Sequence, residues 1–153
     1  MSDFAQVTAW TSPYQRRSVD IAEVAGKIDY DVSYGFPEVI LAVGPCRSGT
    51  TAALRLFGES GIESYSQPIK AIMRYLLLDE PAQRWTIPKA GRVFVKETIG
   101  PYTELESTFN PIQVLYLVLR DAYQSSGESA SKADSIARET LGNNIKLVLM
   151  GRE

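Results

Sequence analysis

The stretch Glu38-Val-Ile-Leu-Ala-Val-Gly-Pro-Cys-Arg-Ser-Gly-Thr-Thr51 decides the fold that we predict for this chain. Its first half is an apolar, largely β-branched run that ends on Gly44, and a loop of small residues follows. The segment Ala52-Ala-Leu-Arg-Leu-Phe57 then continues as a helix, so the predicted order is strand, loop and helix. Such a loop directs successive backbone N–H groups and a helix N-terminus towards one point, which suits a phosphate group.

The loop departs from the usual phosphate-binding pattern at one position. It matches G-x-x-x-x-G-K-[ST] at Gly44, Gly49 and Thr51, but Thr50 stands where the pattern has lysine. Arg47 is the only cation in the loop. A kinase or ATPase uses that lysine on the β- and γ-phosphates and a hydroxyl on Mg²⁺. A site that transfers no phosphoryl group needs neither of them, but it still needs a cation and amides on a 5′-phosphate.

The arrangement Gly-Pro-Cys-Arg-Ser-Gly-Thr-Thr resembles the 5′-phosphosulfate loop of the sulfotransferases that use 3′-phosphoadenosine 5′-phosphosulfate (PAPS). In that family, the lysine or arginine of the loop and the Ser-Gly-Thr that follows it bind the donor's 5′-phosphate. The resemblance implies an α/β, P-loop NTPase-like fold, with helices on both faces of a parallel sheet. It also implies PAPS as the donor substrate and no metal. The residues that it assigns to the donor in this loop are Pro45, Cys46, Arg47, Ser48, Gly49, Thr50 and Thr51.

Two further predicted strands also end in charged residues. One is Arg92-Val-Phe-Val-Lys96, which Glu97 follows, and the other is Ile145-Lys-Leu-Val-Leu-Met150, which Arg152 follows after one glycine. Ligands of α/β proteins lie beyond the carboxyl ends of the parallel strands. We therefore expect the three strand ends to meet in one pocket.

The resemblance implies a role for each of these charged residues. Lys96 would stabilise the charge that builds on the leaving phosphate. Glu97, where many sulfotransferases have histidine, would take the proton from the acceptor. Arg152 matches the arginine that binds the donor's 3′-phosphate, with Glu153 in place of the family's aspartate. The alternative for Lys96 and Glu97 is a solvated pair at a strand end, and neighbouring side chains of a strand point to opposite faces.

The remaining patterns predict the elements around this pocket. Ser18 is the predicted N-cap of the first helix, and Gly142 is the predicted end of the last. Asn110-Pro111 starts a helix that rules out Tyr116-Leu-Val-Leu-Arg120-Asp121 as a copy of the second PAPS motif. Residues 62–65 form a short strand or an extended link. Helices are predicted over residues 18–25, 49–60, 69 to before Pro81, 111–125 and 131–141.

The composition limits the class of protein. The chain has 153 residues, a net charge of −2, a single cysteine and no histidine. The lack of histidine removes imidazole from catalysis, and with one cysteine it argues against a zinc site. The net charge gives no general attraction for nucleic acid or anionic membrane. We expect no signal peptide, no membrane span and a cytoplasmic location.

These observations lead to one function with alternatives. We expect residues 1–35 to be a partly disordered extension and residues 36–153 to be a sulfotransferase-like domain. Because an apolar strand closes the chain without a following helix, this domain is expected to be incomplete. The partners would be PAPS and an unidentified hydroxyl or amine acceptor. The alternatives are a nucleotide or small-molecule kinase with a degenerate loop, and a noncatalytic nucleotide-binding fragment.

Overall fold

The computed structural model describes residues 14–16, 18–45, 50–89, 91–99 and 110–149. The predicted strands are separated from one another by helices, as the sequence indicates. In chain order they are α1 (Ile21–Ala25), β1 (Ile28–Asp29), β2 (Glu38–Pro45), α2 (Thr50–Glu59), β3 (Glu63–Ser66), α3 (Pro68–Leu77), β4 (Trp85–Thr86), β5 (Arg92–Ile99), α4 (Pro111–Ser125), α5 (Ala130–Asn144) and β6 (Ile145–Leu149).

The main sheet has four parallel strands in the order β3-β5-β2-β6. The apolar run that opens at Glu38 is thus a central strand, paired with β5 on one side and β6 on the other. A continuous apolar run is typical of a strand that is covered on both faces, because neither set of alternating side chains meets water. The predicted α/β class with a parallel sheet is confirmed.

Helices cover both faces of this sheet. On one face, Val39 and Leu41 of β2 and Val93 and Val95 of β5 join the apolar core with residues of α3 and α4. On the other face, Phe94 stacks on Phe57 of α2 with ring centroids 4.5 Å apart. The chain therefore leaves β2 over one face and β5 over the other. Adjacent strands whose connections diverge in this way leave a crevice at their carboxyl ends.

The first helix begins later than the sequence prediction. Helix α1 starts at Ile21, and its N-cap is Asp20 rather than Ser18. The carboxylate of Asp20 accepts from Ala22 N at 3.1 Å, while the carboxylate of Glu23 accepts from Asp20 N at 3.0 Å. This capping box satisfies the backbone N–H groups of Asp20 and Ala22, which Ser18, two residues before Asp20, does not do. The Ser18 prediction is wrong, whereas Gly26 is the C-cap as expected.

The last helix continues through the glycine that was expected to end it. Helix α5 runs past Gly142 to Asn144 and passes directly into β6. Its first turn is capped by the hydroxyl of Ser129, which accepts from Lys132 N at 3.2 Å. At its other end, the side chain of Asn144 donates to the carbonyl of Phe36 at 2.8 Å. This tertiary contact holds the last turn, so a glycine within it does not stop the helix.

A small second sheet was not predicted. Strands β1 and β4 are parallel, with Ile28 opposite Trp85 and Asp29 opposite Thr86. Arg84 fixes the pair by donating two hydrogen bonds to the Asp29 carboxylate, at 2.6 and 2.9 Å. Strands of two residues have no periodicity, so the sequence pattern could not reveal them.

Part of the segment that was assigned to an N-terminal extension belongs to the core. Val24, Ala25 and Ile28 are buried in the same apolar cluster as the main sheet. Residues 1–13 and 17 lie outside the described ranges. No helix in the part of the chain that the structure describes combines the length and apolarity that crossing a bilayer requires.

Candidate functional site

The carboxyl ends of β2 and β5 are adjacent, and the sequence analysis places the donor loop at this edge of the sheet. The last residues of the two strands run side by side, with Gly44 opposite Thr98 and Pro45 opposite Ile99. Strand β2 ends at Pro45 and helix α2 begins at Thr50, so the predicted strand and helix are present. Residues 46–49 connect them and lie outside the described residues, as does Arg152.

The structure separates Lys96 from Glu97. Strand β5 continues to Ile99, so both residues are inside the strand and their side chains leave on opposite faces. Lys96 lies on the face of Phe94, which α2 covers, and Glu97 lies on the core face with Val95. Both are buried, at 8% and 0% exposure. A solvated pair at the strand end is therefore wrong.

Glu97 caps a helix that is distant in sequence. Its two carboxylate oxygens accept from the backbone N–H groups of Ile69, at 2.9 Å, and Lys70, at 3.3 Å. These are N–H groups of the first turn of α3, which have no partner inside the helix. The local N-cap residue, Gln67, has left-handed backbone with φ 51° and makes no capping bond with its side chain. Glu97, a residue of a strand, thus supplies the capping bonds that the residue before a helix usually supplies.

A buried lysine completes this cluster. Lys70 is fully buried, and its ammonium donates to the carbonyl oxygen of Thr98 at 2.7 Å and to its hydroxyl oxygen at 3.2 Å. The hydroxyl of Thr98 in turn donates to the side-chain carbonyl of Gln67. The backbone N–H of Gln67 donates to the carbonyl of Lys96 at 2.7 Å. We call Gln67, Lys70, Glu97 and Thr98 the β5 polar cluster.

Burial controls the ionisation of Glu97. Removing the carboxyl group from water raises its pKa from 4.5 to about 8, because the charged form loses its hydration. The backbone N–H groups of Ile69 and Lys70, and the positive charges of Lys70 and Arg74, oppose this rise in pKa because they favour the carboxylate. Desolvation is the largest of these effects.

The sequence analysis did not recognise Lys70 as a member of the site. The signal was present, because Lys70, Met73 and Leu77 lie on one side of α3 at helical spacing and all three are buried. A lysine on the apolar stripe of a helix is unusual, since burying an ammonium requires specific partners. Which partners it has could not be predicted, because Thr98 lies 28 residues further along the chain.

Two clefts among the described residues lie away from the carboxyl ends of β2 and β5. One of about 440 Å³ is bounded by Ile28, Asp29, Val118 and Ser125. A second, of about 600 Å³, is at the opposite end of the sheet, at the first residues of β2, β3 and β5. Within the described ranges, no group of three or more histidine, cysteine, aspartate or glutamate side chains could hold a metal ion.

Comparison of the chain with protein-family models, with curated proteins and with solved structures finds no significant match. What the fold and the β5 polar cluster can do chemically therefore has to be inferred from their geometry.

Proposed function

We propose that this chain is a PAPS-dependent sulfotransferase with a P-loop NTPase-like fold, which transfers a sulfuryl group from PAPS to a hydroxyl or amine. The observation that carries the proposal is the pairing of β2 with β5. This pairing places Gly44, where the arginine-containing loop starts, directly opposite Thr98. The connections that follow the two strands pass over opposite faces of the sheet, so they diverge at this strand end. That is the position at which α/β sheets bind ligands.

The donor side of the proposed site uses the loop from Pro45 to Thr51. Its backbone N–H groups and the N-terminus of α2 favour an anion, since both present positive partial charge. Arg47 adds a full positive charge and can bind two phosphate oxygens at once. Arg152 is proposed to bind the 3′-phosphate.

Lys96 is proposed to stabilise the leaving group. It is two residues before Thr98 on β5, a distance of roughly 6.6 Å along a strand. A lysine side chain is long enough to bring its ammonium to the strand end across that distance. In the proposed reaction the acceptor oxygen or nitrogen bonds to sulfur and loses its proton to water, and the bond from sulfur to the bridging phosphate oxygen breaks. Because the electron pair of that bond goes to the phosphate, a nearby cation stabilises the transition state more than the ground state.

We do not propose that Glu97 removes the proton of the acceptor as a general base. A general base must lie within hydrogen-bonding reach of the proton that it removes. Both oxygens of Glu97 accept from backbone N–H groups of α3, and the side chain is fully buried on the core face. This arrangement favours a role in holding the site together.

The proposal is tested by calorimetric titration with adenosine 3′,5′-bisphosphate, the donor without its sulfuryl group, against ATP with Mg²⁺. We expect binding of the bisphosphate that does not need metal. Preferred binding of ATP with Mg²⁺ would favour the kinase instead, and binding of neither nucleotide would contradict the proposal.

A further inference from the structure

We infer that Glu97 is a positioning residue of the proposed donor site, which holds Lys70 and the first turn of α3 against the carboxyl end of β5 and so fixes Thr98 beside Gly44. This inference rests on the proposed function, because the donor loop begins at Gly44. It differs from the base role that the sequence resemblance implies. It predicts that Glu97 acts on donor binding and not on the proton of the acceptor.

The contacts form a continuous chain from the helix to the loop. Glu97 accepts from the N–H groups of Ile69 and Lys70, so the start of α3 is fixed to the strand. The ammonium of Lys70 then bonds to both oxygens of Thr98. Thr98 stands opposite Gly44 in the sheet, immediately before the loop.

Burial makes this chain of contacts effective. Lys70 and Glu97 are both fully buried, and Thr98 is 5% exposed. Buried polar groups that lose a partner leave the remaining group unsatisfied, which costs more than the bond itself contributes. Removing the Glu97 carboxylate should therefore disturb Lys70 and Thr98 as well.

Glu97 should also affect donor binding through its charge, which a residue with a purely structural role would not do. In the described residues, the charged groups of α3 that act on Glu97 are Lys70 and Arg74, and its neighbour on β2 is the apolar Val43. Ionised Glu97 places a negative charge near an anionic donor, so donor affinity should fall as the pH rises through about 8.

The first experiment tests the contacts without any ligand. The backbone ¹⁵N and ¹H shifts of Ile69 and Lys70 are followed against pH in the full chain. In the wild type we expect both to titrate together, and in Glu97→Gln this titration should disappear. Glu139→Gln, an exposed glutamate on α5, is the matched control and should leave the titration intact. Unchanged Ile69 and Lys70 shifts in Glu97→Gln would overturn the inference whether or not the proposed function is right.

The second experiment measures the affinity for adenosine 3′,5′-bisphosphate between about pH 6.5 and about pH 9. We expect a several-fold loss of affinity across this range in the wild type and in Glu139→Gln, and a flat profile in Glu97→Gln, whose affinity is weaker at the lower pH. Lys70→Met should weaken binding similarly, and the double variant should be little worse than either single one, because both act through Thr98.

The outcomes separate the two proposals. If the wild type does not bind the bisphosphate, the sulfotransferase proposal fails, while the shift titration still decides whether Glu97 holds α3. If Glu97→Gln binds the bisphosphate as tightly as the wild type, with the same pH profile, the positioning role is wrong. If Glu97→Gln fails to fold, Thr98→Val replaces it, and unchanged affinity in that variant would overturn the inference.

Discussion

The carboxylate of Glu97 accepts a hydrogen bond from the backbone N–H of Ile69 at 2.9 Å, although 28 residues separate the two in sequence. Helix α3 needs this external cap because Gln67, in left-handed conformation before Pro68, offers no side-chain cap of its own. The bond joins the helix on the core face to the strand that borders the proposed donor loop. The residue that the sequence analysis proposes as the base thus fixes a helix to this strand.

Glu97 should make the stability of the protein depend on pH. Its pKa is about 8 in the folded state and 4.5 as the reference value, so the folded state binds the proton more tightly. The stabilisation that comes from protonated Glu97 is fully present below about pH 4.5 and is lost as the pH rises through about 8. We expect the free energy of unfolding of the wild type to fall by a few kcal/mol across this window.

Urea unfolding at several pH values checks this expectation. The Glu97→Gln variant should be less stable than the wild type near pH 5, by about 1 kcal/mol, because it loses one capping bond. Near pH 9 it should be the more stable of the two, since it carries no buried charge. Parallel curves for the two proteins would contradict the raised pKa.

Replacement of Arg47 by alanine should weaken donor binding. A hydrogen-bonded cation on a phosphate contributes roughly 1.5–3 kcal/mol, so Arg47→Ala should reduce the affinity for adenosine 3′,5′-bisphosphate about tenfold or more. Arg55→Ala is the control, because Arg55 is an exposed arginine on α2, the helix that follows the loop. Equal affinities in the two variants would argue against the loop as the donor site.

Replacement of Asp20 should destabilise the protein, whereas replacement of Ser18 should not. Asp20→Ala removes the side chain that accepts from Ala22 N at the start of α1, and such a cap contributes about 1 kcal/mol. Ser18→Ala removes no capping bond, because the helix begins at Ile21. Chemical denaturation of both variants tests this pair. A larger loss of stability in Ser18→Ala would show that the helix starts where the sequence pattern predicts.

Replacement of two glycines by alanine should change the stability of the protein in opposite directions. Gly142 lies within α5 with open space at its Cβ position, so Gly142→Ala should raise the free energy of unfolding by about 0.5–1 kcal/mol. Gly61 has φ +82°, where an L side chain is strained, so Gly61→Ala should lower the free energy of unfolding by about 1–2 kcal/mol. Thermal unfolding of the two variants distinguishes these signs, and a destabilised Gly142→Ala would mean that α5 ends earlier.

Much of the fold could be predicted because the relevant signals are local. The run from Glu38 to Gly44 is apolar on both faces, which requires a central strand. The Asn110-Pro111 pair starts α4 as predicted, with the Asn110 side chain accepting from Ile112 N at 3.0 Å. That helix contains Tyr116 to Asp121, so the more literal match to the second PAPS motif is not at a strand end.

The rest could not be predicted because the deciding contacts are distant in sequence. Asn144 holds the end of α5 through Phe36, 108 residues earlier. The pairing of β1 with β4 depends on Arg84 reaching Asp29, 55 residues away. Periodicity and capping rules describe neighbours along the chain, so they contain no information about such partners.

The amino-acid sequence by itself determined that helices lie between the main strands, that an apolar strand precedes the loop, and which kinds of side chain stand at each strand end. These follow from burial patterns and caps that act over a few residues. Only the tertiary structure decided where Lys96 and Glu97 point and that Lys70 contacts Glu97 and Thr98. The physical reason is that β5 continues to Ile99 and sends adjacent side chains to opposite faces, while the first N–H groups of α3 find their acceptor in Glu97.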